Sequence, residues 1–158
     1  MHRESNGRDF ALIWMTRPTR KRQIVFDRIP RGLLDTSVVI DLDLLDSKQL
    51  PGEVAISAVT LAELSAGPSA TDDVAERARR QDRLQRVEAA FDPLPFSVEA
   101  ARAYGRIHAA ILAQGRQPRR RFADLMIAAT ALAERLPLVT RNPEDFRGLS
   151  TLITIIEV

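Results

Sequence analysis

Apolar and polar positions fall in blocks along the chain, and the block boundaries predict its elements. Gly32 to Leu34 is an apolar run that ends abruptly in Asp35-Thr36-Ser37. These three residue types break strands and cap helices, so a buried strand is expected, turning into a helix over Val38 to Leu45. Glu53 to Ser57 reads as a second strand, and Ala58 to Ala66 as a short helix stopped by Gly67-Pro68. Thr71 is placed to cap a long helix, along which Val74, Ala78, Leu84, Val87 and Phe91 recur at helical spacing. Its other face is charged, which solvation explains. Pro93 to Phe96 is a brief strand or extended link, and Ser97 caps a helix with the stripe Ala100, Tyr104, Ile107 and Ile111. Gln114 to Arg120 is a polar, basic loop. Phe122 to Arg135 is so apolar that burial on most sides is expected. Leu136 to Thr140 is a strand, Asn142 to Leu149 a turn or short helical piece, and Thr151 to Val158 a final strand. Strands separated by helices imply an α/β chain: a mostly parallel sheet of about four to five strands, covered on both faces.

Composition narrows the class. The chain of 158 residues, 45% hydrophobic and 28% charged, suits one domain with a sizeable core. No apolar run is long enough to span a membrane, and Phe10 to Met15 is too short for a signal-peptide core, so a cytoplasmic protein is expected. The lack of cysteine excludes disulfides, thiolate metal sites and cysteine nucleophiles. Net charge is +2 with a pI near 9.6, and Lys21 and Lys48 are the only lysines, so the positive charge is nearly all arginine. Arginine suits bidentate contact with phosphate, although coding bias accounts for such a composition equally well. Residues 1–31 stand apart as a basic arm with Arg17, Arg20, Lys21, Arg22 and Arg28, a short extended piece at Gln23 to Phe26, and Met15 as an alternative first residue. The domain is expected to cover 32–158.

Four acids carry the candidate chemistry, and each also has a structural reading. Asp35 ends a strand, where a capping carboxylate or a metal ligand at the sheet's carboxyl end is equally at home. Glu63 closes a Thr-x-x-Glu capping box with Thr60. Asp124 lies in the first turn of the apolar helix, where the helix dipole favours it, yet so apolar a setting makes an ionised carboxylate hard to hold alone. Asp145, with Asn142 just before it, follows a strand directly. Taken together, these positions fall at one end of a parallel sheet. Three or four carboxylates meeting there repel one another, and a hard divalent cation with all-oxygen ligation, magnesium or manganese, resolves the repulsion. His108, four residues after Tyr104 on a helix, reads as a packing residue, so a Ser–His–Asp triad is not expected.

The blocks Leu33-Leu34-Asp35-Thr36-Ser37, Thr60-Leu61-Ala62-Glu63 with Gly67, Ala123-Asp124-Leu125-Met126-Ile127-Ala128-Ala129-Thr130, and Leu138-Val139-Thr140-Arg141-Asn142 through Asp145-Phe146 resemble PIN domains. They are most similar to VapC-type toxins of bacterial toxin–antitoxin pairs. The resemblance spans about residues 32–158 and implies a PIN-like three-layer α/β/α fold. It implies a metal-dependent endoribonuclease using Mg2+ or Mn2+, with Asp35, Glu63 and Asp124 as acids and the fourth place shared between Asn142 and Asp145. It places the hydroxyls of Thr36, Ser37 and Thr140 near the metal or the scissile phosphate. It further implies an RNA substrate, a cognate antitoxin that masks the pocket, and a homodimer formed through helices of the 58–91 region. Arg116, Arg119, Arg120, Arg121 and Arg141 flank the acids in sequence and are candidates for RNA phosphate contact. A haloacid-dehalogenase-type enzyme wants an acid where Ser37 stands, and a receiver domain wants a late lysine that the chain lacks. The remaining alternative is a PIN-like RNA-binding or protein-interaction module without catalysis.

Overall fold

The computed structural model describes residues 29–158, with the side chain of Arg120 excepted. The expected extended piece at Gln23 to Phe26, and nearly all of the basic arm, lie outside those residues. Four strands form one parallel sheet in the order β2-β1-β3-β4: β1 (Arg31–Leu34), β2 (Glu53–Ala55), β3 (Leu138–Thr140) and β4 (Ile155–Glu157). Among the described residues five α-helices surround it: α1 (Thr36–Ile40), α2 (Ala58–Ala66), α3 (Val74–Ala90), α4 (Val98–Ala113) and α5 (Phe122–Glu134).

Strand alternation divides the core in two. Leu33 and Leu138 join Ile107, Ile111, Leu125, Ile127 and Phe146 on the side of α4 and α5. Leu34 and Val139 join Val38, Val39, Leu64, Leu84 and Val87 on the side of α1, α2 and α3. Successive side chains of a strand point to opposite faces, so two adjacent leucines in β1 serve both layers. The expected three-layer α/β/α architecture follows. Gly32 leaves room beside its strand for Pro51 and Val139: a Cβ there would lie 2.8 Å from Pro51 Cγ and 2.9 Å from Val139 Cγ2.

Several boundaries differ from expectation. The helix expected over 38–45 is α1 followed by a separate 3-10 turn at Leu42–Leu44. The final strand shortens to Ile155–Glu157. The 93–96 link makes a single parallel bridge, Leu94 to Ser57. Asp73, not Thr71, caps α3, because its carboxylate accepts from the Glu76 N–H while Thr71 serves the N–H of Asp73. The stripe expected along α3 reaches the core only through Leu84, Val87 and Phe91; Val74 is 76% exposed and Ala78 is exposed. The first turns of α3 are held instead by Arg80, which donates to the Gly67 carbonyl at 2.9 Å and pairs with Glu76. Among the described residues no helix is long and apolar enough to cross a membrane.

Candidate active site

The chain runs from β1 outward to β2, then returns to place β3 on β1's other side. The carboxyl ends of β1 and β3 therefore flank the point where the strand order reverses, and open parallel sheets form their ligand crevices there. Asp35 follows β1 at this point and Thr140 ends β3.

Asp35 is 4% exposed. Its Oδ2 accepts from Ser37 Oγ at 2.7 Å and from Thr140 Oγ1 at 3.0 Å, while its Oδ1 is buried with no hydrogen-bond partner. A buried, unpartnered carboxylate oxygen is costly, and an ordered water or a cation can satisfy it. Ser37 Oγ also accepts from the Arg141 N–H, and Thr140 Oγ1 from the Asn142 N–H, so the β3–turn junction is built around Asp35. Both hydroxyls thus orient the carboxylate and the backbone around it.

Glu63 does not close a capping box. Ser57 is the N-cap of α2, accepting from the Thr60 N–H at 3.0 Å, and Glu63 lies two turns on. Ser57 stands three residues before Thr60 and takes the cap first, which leaves Glu63 to reach across the site. Its Oε2 accepts from Thr36 Oγ1 at 2.5 Å. Buried Thr60 links this pair to Ser57 through hydroxyl contacts at 3.3 and 3.2 Å. In the sequence Ser57 and Thr60 carry only the signal of a helix cap, which does not mark them as parts of a site.

Asp124 is half-buried in the first turn of α5. Burial pushes its carboxyl up to about 6, and the charges of Asp35, Asp145 and Glu63 push the same way, with Arg121 opposing them. The four acids are therefore electrostatic neighbours. They do not converge: among the described residues no three acidic or histidine side chains stand close enough to hold one metal ion. The expected meeting of three or four carboxylates is thus corrected to a looser cluster. Asp145 is engaged by the Arg121 guanidinium and Glu63 by Thr36. Oxygen donors alone, one of them an orphaned buried oxygen, still fit a hard divalent cation. Asn142 is exposed, and its side chain makes no hydrogen bond among the described residues.

The arginines are arranged less freely than their loop suggests. Arg141 Nη1 pairs with Asp41 at 3.1 Å, across from the end of α1. Arg116 donates to the carbonyls of Arg147 and Glu144, at 2.8 and 3.3 Å, and Gln114 donates to the Gly148 carbonyl at 3.0 Å. The end of α4 is thereby stapled to the turn that carries Asp145. Arg119 is exposed, and the expectation for Arg120 falls on a side chain outside the described ones. A cleft of about 360 Å³ lies beside Asp145, with Arg116, Gln117, Arg121 and Leu125 also in its walls.

The chain is similar to several known proteins. The sequence model of the PIN domain matches residues 33–150. Ribonuclease VapC5 of Mycobacterium tuberculosis is 41% identical over 123 residues, 75% of this chain and 87% of that protein. Ribonuclease VapC1 of Rickettsia felis is 30% identical over 128 residues, 76% of this chain and 91% of that protein. Among solved structures, a member of the VapBC family of toxin–antitoxin systems, VapBC-5 from Mycobacterium tuberculosis, superposes with a TM-score of 0.72 at 38% identity. It covers 81% of this chain and 98% of that one.

Proposed function

The chain belongs to the PIN domain family, and from that premise we propose that it is an endoribonuclease acting as the toxin of a toxin–antitoxin pair. The observation that carries the reading is Asp35: a buried carboxylate at the sheet's reversal point, with one oxygen held by Ser37 and Thr140 and the other unpartnered. The relatives named as ribonucleases, at up to 41% identity, support the activity. The toxin–antitoxin structure at 38% identity supports a partner protein that binds and restrains it. A homodimer belongs to the same proposal.

Mg2+ or Mn2+ is the cofactor we propose, held by Asp35 and Asp124 with Glu63 and Asp145 around them. When bound, a divalent ion supplies an activated water and charge stabilisation for phosphodiester hydrolysis. The chain's own residues prepare that site. Ser37 and Thr140 fix the rotamer of Asp35, Thr36 fixes Glu63, and Arg121 supplies the counter-charge of Asp145. The proximity of Asp145 to Asp124, against an exposed and unengaged Asn142, favours Asp145 as the fourth acid. Arg121 and Arg141 flank the acids, which supports a role in holding RNA phosphates once substrate competes for their present partners.

The test is cleavage of cellular RNA by protein freed of any antitoxin, with EDTA, Mg2+ or Mn2+, beside Asp124→Ala. Discrete fragments that need the ion and vanish in the variant are expected. Neither cleavage nor a metal-dependent rise in melting temperature would return the chain to the non-catalytic binding module.

A further inference from the structure

The exposed large apolar side chains of the described residues are aliphatic, with one exception: Ile29, Ile40, Leu44, Val74, Val98 and Leu112 against Phe122, which is 56% exposed. Scattered aliphatic exposure is ordinary on a protein surface. Phe122 differs in its company. Its ring meets that of Tyr104 edge-to-face, with centroids 5.6 Å apart and planes at 67°. Tyr104 in turn lies 5.9 Å from the ring of His108, one helical turn further along α4. The chain's one tyrosine thus stands behind an exposed phenylalanine at the start of α5. Expected to be buried with the rest of its helix, Phe122 instead follows the basic turn Pro118–Arg121 and precedes Asp124 by two residues.

We propose that Phe122, backed by Tyr104 and His108, is a stacking platform for one nucleobase of single-stranded RNA entering the site. The inference rests on the ribonuclease reading above. Single-stranded RNA is recognised by aromatic rings that stack on splayed bases beside cations that hold the backbone. A candidate cation is Arg119, three residues before Phe122 in the chain, which is exposed and makes no ion pair among the described residues. The edge-to-face contact with Tyr104 fixes the Phe122 ring, so little freedom remains to be lost when a base stacks on it. Residues two apart on a helix point about 200° apart around its axis. Phe122 therefore stands on the other side of the helix start from Asp124, so the base it takes is not that of the nucleotide being cut but one at a neighbouring position on the same strand. The platform supplies affinity and base preference at that neighbouring position, and no chemistry.

The experiment uses the full chain in EDTA and a short RNA spanning a site that the wild-type protein cuts, with affinity read by fluorescence anisotropy. Phe122→Ala is expected to weaken binding about five-fold or more, the loss typical of one stacked base. Phe122→Tyr should keep the affinity, while Phe122→Leu, apolar but without a π face, should lose it. Removing the base at one position of the RNA should cost as much as Phe122→Ala, and the two losses should not add. Wild-type affinity in Phe122→Leu, or additive losses at every RNA position, would overturn the platform. A Phe122→Ala protein whose light-scattering mass falls from dimer to monomer would assign the ring to a contact between copies, and would overturn it too. If the wild-type protein cuts no RNA, the ribonuclease reading itself fails; if it cuts and binds RNA while every Phe122 variant matches it, only the platform fails.

Discussion

The Thr140 hydroxyl donates to Oδ2 of Asp35 at 3.0 Å and so ties the carboxyl ends of β3 and β1 together. Both residues are buried, and the same Thr140 oxygen accepts from the Asn142 N–H, so one side chain sets both the carboxylate and the start of the following turn. Thr140→Val keeps the volume and removes the donor. It should lower stability by about 1.5–3 kcal/mol, the range for a hydrogen bond to a charged group. Urea denaturation of the metal-free protein checks this, and Thr140→Ser should recover most of the loss. Equal midpoints for Thr140→Val and wild type would mean that Ser37 alone holds Asp35.

The raised carboxyl of Asp124 makes a prediction with a definite sign. Its ordinary value is 3.8 and its folded value about 6, so between these pH values the folded state holds the proton more tightly than the unfolded one. Stability from this group is greatest below pH 4 and is lost as pH rises through 6. Asp124→Asn, which stays neutral, should therefore raise the melting temperature of the metal-free protein at pH 7 and leave it nearly unchanged at pH 4. The difference between the two proteins, measured across pH, cancels the titration of groups remote from Asp124 and leaves that of the coupled acid cluster. A difference that grows toward acid pH would contradict the burial and crowding assigned to Asp124. Saturating Mg2+ should reverse the order at pH 7 by stabilising only the wild-type protein.

Gly148 tests the staple between α4 and the turn of Asp145. Its φ of +86° is one that side chains avoid, and a Cβ there would lie within 2.1 Å of the Gln114 amide atoms. Gly148→Ala should cost about 1–2 kcal/mol for the left-handed backbone alone, and the displaced Gln114 would lose its bond to the Gly148 carbonyl. Adding Gln114→Ala should relieve the clash but not the backbone strain, so the double variant should stay well below wild type in thermal denaturation. Full recovery in the double variant would mean that the clash, not φ, governs the position.

Much of this site is legible in the linear chain, and the unread part has a common cause. Asp35 and Asp124 stand at element boundaries that apolar periodicity marks clearly, and a parallel sheet brings such boundaries to one end. The two-layer use of Leu33 and Leu34 follows from strand alternation. What escapes is competition between equivalent local signals. Ser57 and Thr60 are both good caps, as are Thr71 and Asp73, and only the folded helix start decides between them. Also unreadable are the long-range claims on charge. Arg116 and Arg141 look like free cations in a basic stretch, but they are bound by carbonyls of the 144–147 turn and by Asp41. Side-chain pairs far apart in sequence leave no periodic trace.

Arg121 occupies Asp145 as a counter-ion, and both side chains are about one-third exposed. The proposed divalent cation would compete with that guanidinium for the same carboxylate. Pairs this exposed contribute at most about 1 kcal/mol, so Arg121→Gln should change stability little while removing the competitor. Its expected effect is tighter Mn2+ binding, by roughly three- to five-fold, measured by titration of the metal-free protein. RNA affinity should move the other way, with the slope of log affinity against log salt falling by about 0.7 for one lost phosphate contact on a single strand. Opposite changes in metal and RNA affinity would fix Arg121 as a residue shared by two ligands. Weaker Mn2+ binding in Arg121→Gln would mean instead that the guanidinium holds Asp145 in its ligating position, and that the ion pair is part of the site rather than its rival.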